Sequence, residues 1–300
     1  MQKVAISIGD LNGVGIEIAL KAHEKIKKIV NPIYCINKKM LKKAAKLLNT
    51  EIPDDFEIFE VEGDFEINPG KIDEKAGKYS FYSFISAINL AKEKKVDAIC
   101  TLPINKESWS KAGIKYKGHT EVLRDIFKKE AIMMLGCEKM YVALFTEHIP
   151  LKEVPKKIKK EKLIQFFSDF YRSTGFEKVG VLGLNPHAGD GGVLGDEEIK
   201  EILPAIIETN EMLNKEIFYG PLVPDIAFTA KKGVFIAMYH DQGLAPLKAL
   251  YFDESINVSL NLPILRTSVD HGTAFDIAYK GIAKTKSYEN AIKYILNHKN

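Results

Sequence analysis

Cysteine is scarce in this 300-residue chain, and so is net charge. Cys35, Cys100 and Cys137 are odd in number, widely spaced and form no C-x-x-C pair. That excludes a disulfide framework and a cysteine-built zinc module, and leaves reduced thiols. A net charge of +3 is too mild for a nucleic-acid partner, although it suits anionic substrates. Long apolar runs are also lacking. The longest, near Tyr79–Ala91, is interrupted by Ser and Asn and falls short of a membrane span. The opening MQKVAISIGD has no signal-peptide core, and the chain shows neither internal repeats nor low-complexity segments. These absences point to a soluble, cytoplasmic protein that binds neither membrane nor nucleic acid.

What is present is alternation. Near-continuous apolar runs recur at VAISIG (4–9), IYCI (33–36), DAICTL (97–102), YVALFT (141–146), VGVLGL (179–184) and VFIAMY (234–239), as expected for strands covered on both faces. Helical patterns lie among them at Ile16–Lys28, Met40–Leu48, Ile72–Lys94, Glu197–Leu213 and Tyr288–Leu296. The basic run KEVPKKIKKEK (152–162) reads as the solvated approach to a helix around Leu163–Phe170. Strands alternating with helices predict an α/β fold with a largely parallel sheet. Breaks near Ala131 and Leu247–Asp253 divide it into residues 1–130 with 250–300, and 131–249, two subdomains around a cleft.

In doubly wound folds, ligand groups collect just past the carboxyl ends of strands. ISIGDLNGVGIEIALKA (6–22) passes from a strand through Gly9, Asp10, Gly13 and Gly15 into a helix. Its glycine spacing is neither the Rossmann fingerprint nor a Walker loop, and a tight turn explains the glycines. Asp10 stands where a ligand could sit. In GHTEVL (118–123), Thr120 can cap a helix and Glu121 complements its positive end. His119 has no such role, and would lie beside helix N–H groups that attract anions.

Three histidines stand at strand ends: His148 in LFTEHIP, His187 in GLNPHAGDGG and His240 in MYHDQG. Each alone is better explained as a hydrogen-bonded packing residue. Brought to one rim by parallel strands, they suit Zn²⁺ or a similar divalent ion with a position left open. Asp241 either orients His240 or caps its own turn, and a Gly-Leu-Ala-Pro turn separates His240 from Lys248. Asp196-Glu197-Glu198 reads as complement to a helix dipole. Lys248, Asn257 and Arg266 are a reasonable set for phosphate or carboxylate, with surface charge as the alternative. RTSVDHGTAFDIAYKGIAK (266–284) reads as a strand-like run and then a helix opened by His271-Gly272-Thr273.

Together GDLNGVGIEI, GHTEVL, GLNPHAGDGGVLGDEE, MYHDQGLAPLK and LRTSVDHGTAFDIA, in that order over almost the whole chain, resemble the 4-hydroxythreonine-4-phosphate dehydrogenases of pyridoxal phosphate biosynthesis. The resemblance implies an isocitrate/isopropylmalate-dehydrogenase-like fold of two α/β/α subdomains, and a homodimer with its active site at the subunit interface. It implies NAD or NADP and a divalent metal (Zn²⁺, Mg²⁺ or Co²⁺). The reaction implied is oxidation of 4-phosphohydroxy-threonine, a small phosphorylated amino acid, to a 3-keto acid that loses carbon dioxide. Metal ligands fall on His148, His187 and His240, and substrate contacts on His119, Thr120, Lys248, Asn257 and Arg266. HGTAFDIAYKGIA (271–283) is similar to the loop that wraps adenosine in isocitrate and isopropylmalate dehydrogenases, which places His271, Gly272, Thr273 and Asp276 at the dinucleotide. Tyr279 stands where that loop has glycine. A paralogous dehydrogenase for another phosphorylated hydroxy acid or a dihydrodiol is the alternative in the same class. A metal-dependent hydrolase or an acyltransferase is the alternative outside it.

Overall fold

A computed structural model describes residues 1–298. Strands are numbered along the chain as β1 (Lys3–Ser7), β2 (Asn31–Cys35), β3 (Ile58–Phe59), β4 (Ala98–Thr101), β5 (Ile132–Cys137) and β6 (Met140–Leu144). They continue as β7 (Val179–Leu182), β8 (Phe218–Leu222), β9 (Gly233–Ala237), β10 (Ile256–Leu260) and β11 (Leu265–Val269). The chain divides into two compact units, Met1–Lys129 with Ile256–Val258 and Leu262–Asn300, and Glu130–Ser255 with Ser259–Asn261.

In the first unit the strand order is β3-β2-β1-β4-β11, with every adjacent pair parallel. All residues of β4 and β11 are buried, and so are four of the five in β1. The helices Lys38–Leu47, Glu74–Lys92 and Lys106–Lys111 begin where the sequence supplies Asn37, Asp73 and Asn105. Each of these side chains accepts a hydrogen bond from the first turn, a contact worth about 1 kcal/mol.

In the second unit the order is β5-β6-β9-β7-β8. β6, β9 and β7 run parallel, whereas β5 and β6 form an antiparallel hairpin in which Cys137 faces Met140. Val, Leu, Phe and Ala from β6, β7 and β9 pack with Leu244 and Leu247 into this unit's core. All three cysteines are buried free thiols, and burial pushes Cys100 up to about 12, so it is no nucleophile near neutral pH. Among the described residues no helix is long and apolar enough to cross a membrane.

Three expectations need correction. The Gly-Leu-Ala-Pro stretch is no turn: a helix runs unbroken from His240 to Tyr251 with Pro246 inside it. Residues 271–284 form no helix, because Ala274 and Tyr279 take left-handed backbone and the segment is tied down elsewhere. Finally, the pattern over Glu197–Leu213 begins as a π-helical turn, Glu198–Ile202, before the α-helix Leu203–Leu213.

Candidate functional site

The parallel order β6-β9-β7 decides where the three histidines go. His148, His240 and His187 each follow the carboxyl end of one of these neighbouring strands. The rings of His148 and His240 lie 5.3 Å apart, centroid to centroid. His240 is the first residue of its helix, and its Nδ1 contacts Asp241 Oδ1 at 2.6 Å. A carboxylate only accepts, so Nδ1 carries a proton, and in a neutral imidazole the lone pair then falls on Nε2, the nitrogen a cation would take. Asp241 therefore orients the histidine and makes no cap of its own turn. His187 is exposed on the third loop. It does not close a three-way cluster with the other two.

Among the described residues, the only such cluster is His23, Glu24 and Asp55. There Lys27 reaches Glu24 at 2.8 Å and Asp55 at 2.9 Å, while His23 bonds Tyr34 and Asp55. The Lys27 ammonium, followed by His23, holds the Asp55 carboxyl below its usual range. The lysine already supplies the positive charge a metal would bring.

Polar residues that the motifs did not single out lace the histidine loops together. Thr146 Oγ1 donates to Met238 O at 2.6 Å, joining the His148 loop to the strand before His240. Buried Gln242 accepts from Met238 N at 2.7 Å and donates to Gly183 O at 2.6 Å, joining the His240 helix to the His187 loop. Glu198 stands in the first turn of its helix, as a dipole complement does, and it has a second task. It is buried, and its carboxylate accepts the backbone N–H of Leu184 and of Asn185, each at 2.7 Å. Beyond these contacts the chain adopts six consecutive positive φ values, from His187 to Gly192. Three of the six are not glycine, and each such residue costs about 1 kcal/mol or more.

Lys248 lies two turns along the same helix as His240, roughly 12 Å away by helical rise. Its ammonium sits over the Phe252 ring at 5.4 Å.

The first unit gathers the other expected residues. Arg266 on β11 is 2% exposed, and both Nε (3.2 Å) and Nη2 (2.6 Å) donate to Thr101 Oγ1 on β4. Burial lowers its pKa to about 10, so it remains a cation at neutral pH. His119 packs edge-on against Phe84 and Trp109, with its Nε2 enclosed and without a hydrogen-bond partner. Burial first, and then the Arg266 charge, hold its imidazole well below the ordinary range, so it is neutral. Thr120 is the second residue of the helix His119–Phe127 and does not cap it; Glu121 reaches back to Lys117 N instead. Asn257 Oδ1 is likewise enclosed and unpaired. Arg266 is thus a buried cation whose field reaches His119, while an unpaired amide oxygen such as that of Asn257 calls for a donor.

The glycine turn and the 271–283 segment form one construction. Gly9 has φ +73°, and a Cβ there would stand 2.2 Å from Pro103 O. At Gly13 a Cβ would meet Thr273 O at 2.8 Å, and the next residue, Val14, donates its N–H to that oxygen. Asp10 is enclosed at this turn, accepting from Asn12 N, and burial pushes its carboxyl up to about 6. Tyr279, at φ +63°, donates its hydroxyl to Leu11 O at 2.7 Å. Buried Glu17 accepts from Gly281 N and Ala283 N, and Lys21 donates to both carbonyls. Thr273 is thus pinned, while Gly272 and Asp276 are exposed and His271 Nδ1 meets its neighbour's carbonyl oxygen at 2.9 Å. Tyr279→Phe is expected to cost about 1 kcal/mol in urea unfolding.

Proteins of known family share both this sequence pattern and this fold. The family model for the pyridoxal phosphate biosynthetic protein PdxA matches residues 28–295. A 4-hydroxythreonine-4-phosphate dehydrogenase of Sulfurimonas denitrificans is 64% identical over 295 residues, covering 97% of this chain and 96% of that protein. The crystal structure of a 4-hydroxythreonine-4-phosphate dehydrogenase from Burkholderia phymatum superposes with a TM-score of 0.82 at 31% identity, over 100% of this chain and 99% of that one. A β-decarboxylating dehydrogenase from Thermococcus kodakarensis shares the fold, with a TM-score of 0.55 at 13% identity over 99% of this chain and 83% of that one. The chain belongs to the PdxA family of pyridoxal phosphate biosynthetic proteins.

Proposed function

We propose that this protein is a 4-hydroxythreonine-4-phosphate dehydrogenase, oxidising 4-phosphohydroxy-threonine with NAD or NADP and a divalent cation. The names of its relatives support the substrate. The observation that carries the chemistry is the His148–His240 pair at the strand rim, with Asp241 fixing a proton on Nδ1 of His240. His148, His187 and His240 would hold the cation. Imidazole donors favour zinc or cobalt over magnesium. When bound, such an ion lowers the pKa of an alcohol and polarises the carbonyl formed from it.

The protein's own residues do the rest. Arg266 offers a buried guanidinium to one anionic group of a substrate, and Lys248 offers an ammonium. His119, neutral and with an enclosed Nε2, together with Thr120 and Asn257, supplies hydrogen bonds that cost no further charge burial. The pinned 271–283 segment presents His271, Gly272, Thr273 and Asp276 to the dinucleotide without a loop having to fold first. The buried reduced thiols support a cytoplasmic setting. Exposed Ile199, Leu203 and Ile207, at helical spacing, support a homodimer in which a second copy completes the site.

The test is the appearance of reduced nicotinamide when purified protein meets 4-phosphohydroxy-threonine and either dinucleotide. Turnover should require the divalent ion and stop with chelator. No reduction of either dinucleotide would overturn the reading.

A further inference from the structure

The loop that carries His187 is held in a shape that the histidine itself does not account for. Six residues in succession, His187, Ala188, Gly189, Asp190, Gly191 and Gly192, have φ between +43° and +97°. A path of that kind persists only where its surroundings over-determine it. The carboxylate of Glu198 sits against the start of this path. One oxygen takes both the Leu184 and Asn185 N–H groups at 2.7 Å, and the other takes Asn185 Nδ2 at 3.0 Å. Glu198 is 2% exposed. The backbone is shaped around it: a Cβ added at Gly183 or Gly189 would stand 3.1 or 2.8 Å from its two oxygens. On the other side Gln242 holds Gly183 O, so the loop is gripped at its first residue and again at its next two.

We propose that Glu198 is a positioning residue: it holds the left-handed loop in the shape that presents His187, and so sets the affinity for the divalent cation without touching it. The inference rests on the reading of His187 as a ligand. Glu198→Gln keeps an oxygen for the two backbone N–H groups but turns a donor toward Asn185 Nδ2, whereas Glu198→Ala removes every contact.

The test is titration of cobalt(II) into chelator-treated full-length protein, followed by calorimetry and by the cobalt absorption spectrum, with thermal unfolding in parallel. Losing an orienting partner of a ligand weakens metal binding about 10–100-fold, so Glu198→Gln is expected near the lower end and Glu198→Ala near the upper. His187→Ala serves as the reference and is expected to weaken binding at least as much as either. If His187→Ala binds cobalt like the parent, the ligand reading itself is wrong. If His187→Ala weakens binding but folded Glu198 variants keep the parent's affinity and spectrum, with only a lower melting temperature, Glu198 is merely structural and the inference is wrong. Should Glu198→Ala not fold, Glu198→Gln alone decides between these outcomes.

Discussion

Replacing His240 by alanine is expected to stop cation-dependent turnover while leaving a folded protein with unchanged dinucleotide binding. The side chain contributes nothing to the unit's core, being half-buried at the first position of its helix. Its removal leaves Asp241 without the imidazole it orients. Partners that only orient a ligand are worth about 10–100-fold in metal affinity, so loss of the ligand should exceed ~100-fold. Cobalt titration and turnover at saturating substrate measure the two effects. A variant with parent-like cobalt affinity and turnover would remove His240 from the cation site. Asp241→Asn, which keeps an acceptor oxygen but loses the charge, should fall between the two.

The second large effect has opposite signs in stability and activity. Arg266 is a cation that the folded state disfavours, since the net effect of its surroundings lowers its pKa from 12.5 to about 10. The sign follows from linkage: below about pH 10 the charged group is held against a desolvation cost that the unfolded chain does not bear. Arg266→Met, similar in length and apolar, should leave stability unchanged or raise it by up to about 1 kcal/mol. Activity should move the other way. Truncating one partner of a buried, hydrogen-bonded charge pair costs about 2–5 kcal/mol, or roughly 30- to several-thousand-fold in kcat/KM. Denaturant melts and steady-state kinetics on one preparation would test both halves. A destabilised variant with near-parent kcat/KM would mean that Arg266 is structural.

The fold was legible where the sequence used one period consistently. The runs in β1, β2, β4, β6, β7 and β9 are nearly all apolar because both faces are covered, whereas a half-exposed strand or a surface helix would break such a run with polar residues. β5 escaped because its hairpin to β6 turns on Glu138-Lys139, without the Asn-Gly or Asp-Gly that marks such turns. The helix from His240 escaped because Gly243 and Pro246 are read as breakers. Gly243 is there because a Cβ would stand 2.5 Å from Val142, a contact between elements distant in sequence. Of the candidate site, the histidines were legible as residues of a given chemistry at strand ends. Thr146, Gln242 and Glu198 were not, since a polar residue's partner is set by tertiary contacts that no local spacing records. A weak trace existed for Gln242, a polar residue four positions after the apolar Met238 and on the heels of His240 and Asp241.

The path from His187 to Gly192 is, locally, the mirror image of an ordinary helical turn. Built from residues of the opposite chirality it would need no support, because the steric clash that penalises it belongs to the L configuration alone. A ribosomal chain has only glycine as an achiral substitute, and this one uses glycine at three of the six positions. For the other three it depends on groups outside the path, a carboxylate and a carboxamide fixed in the interior. The handedness of the loop is thus a property of its surroundings, and His187, Ala188 and Asp190 keep it only while those two groups stay where they are.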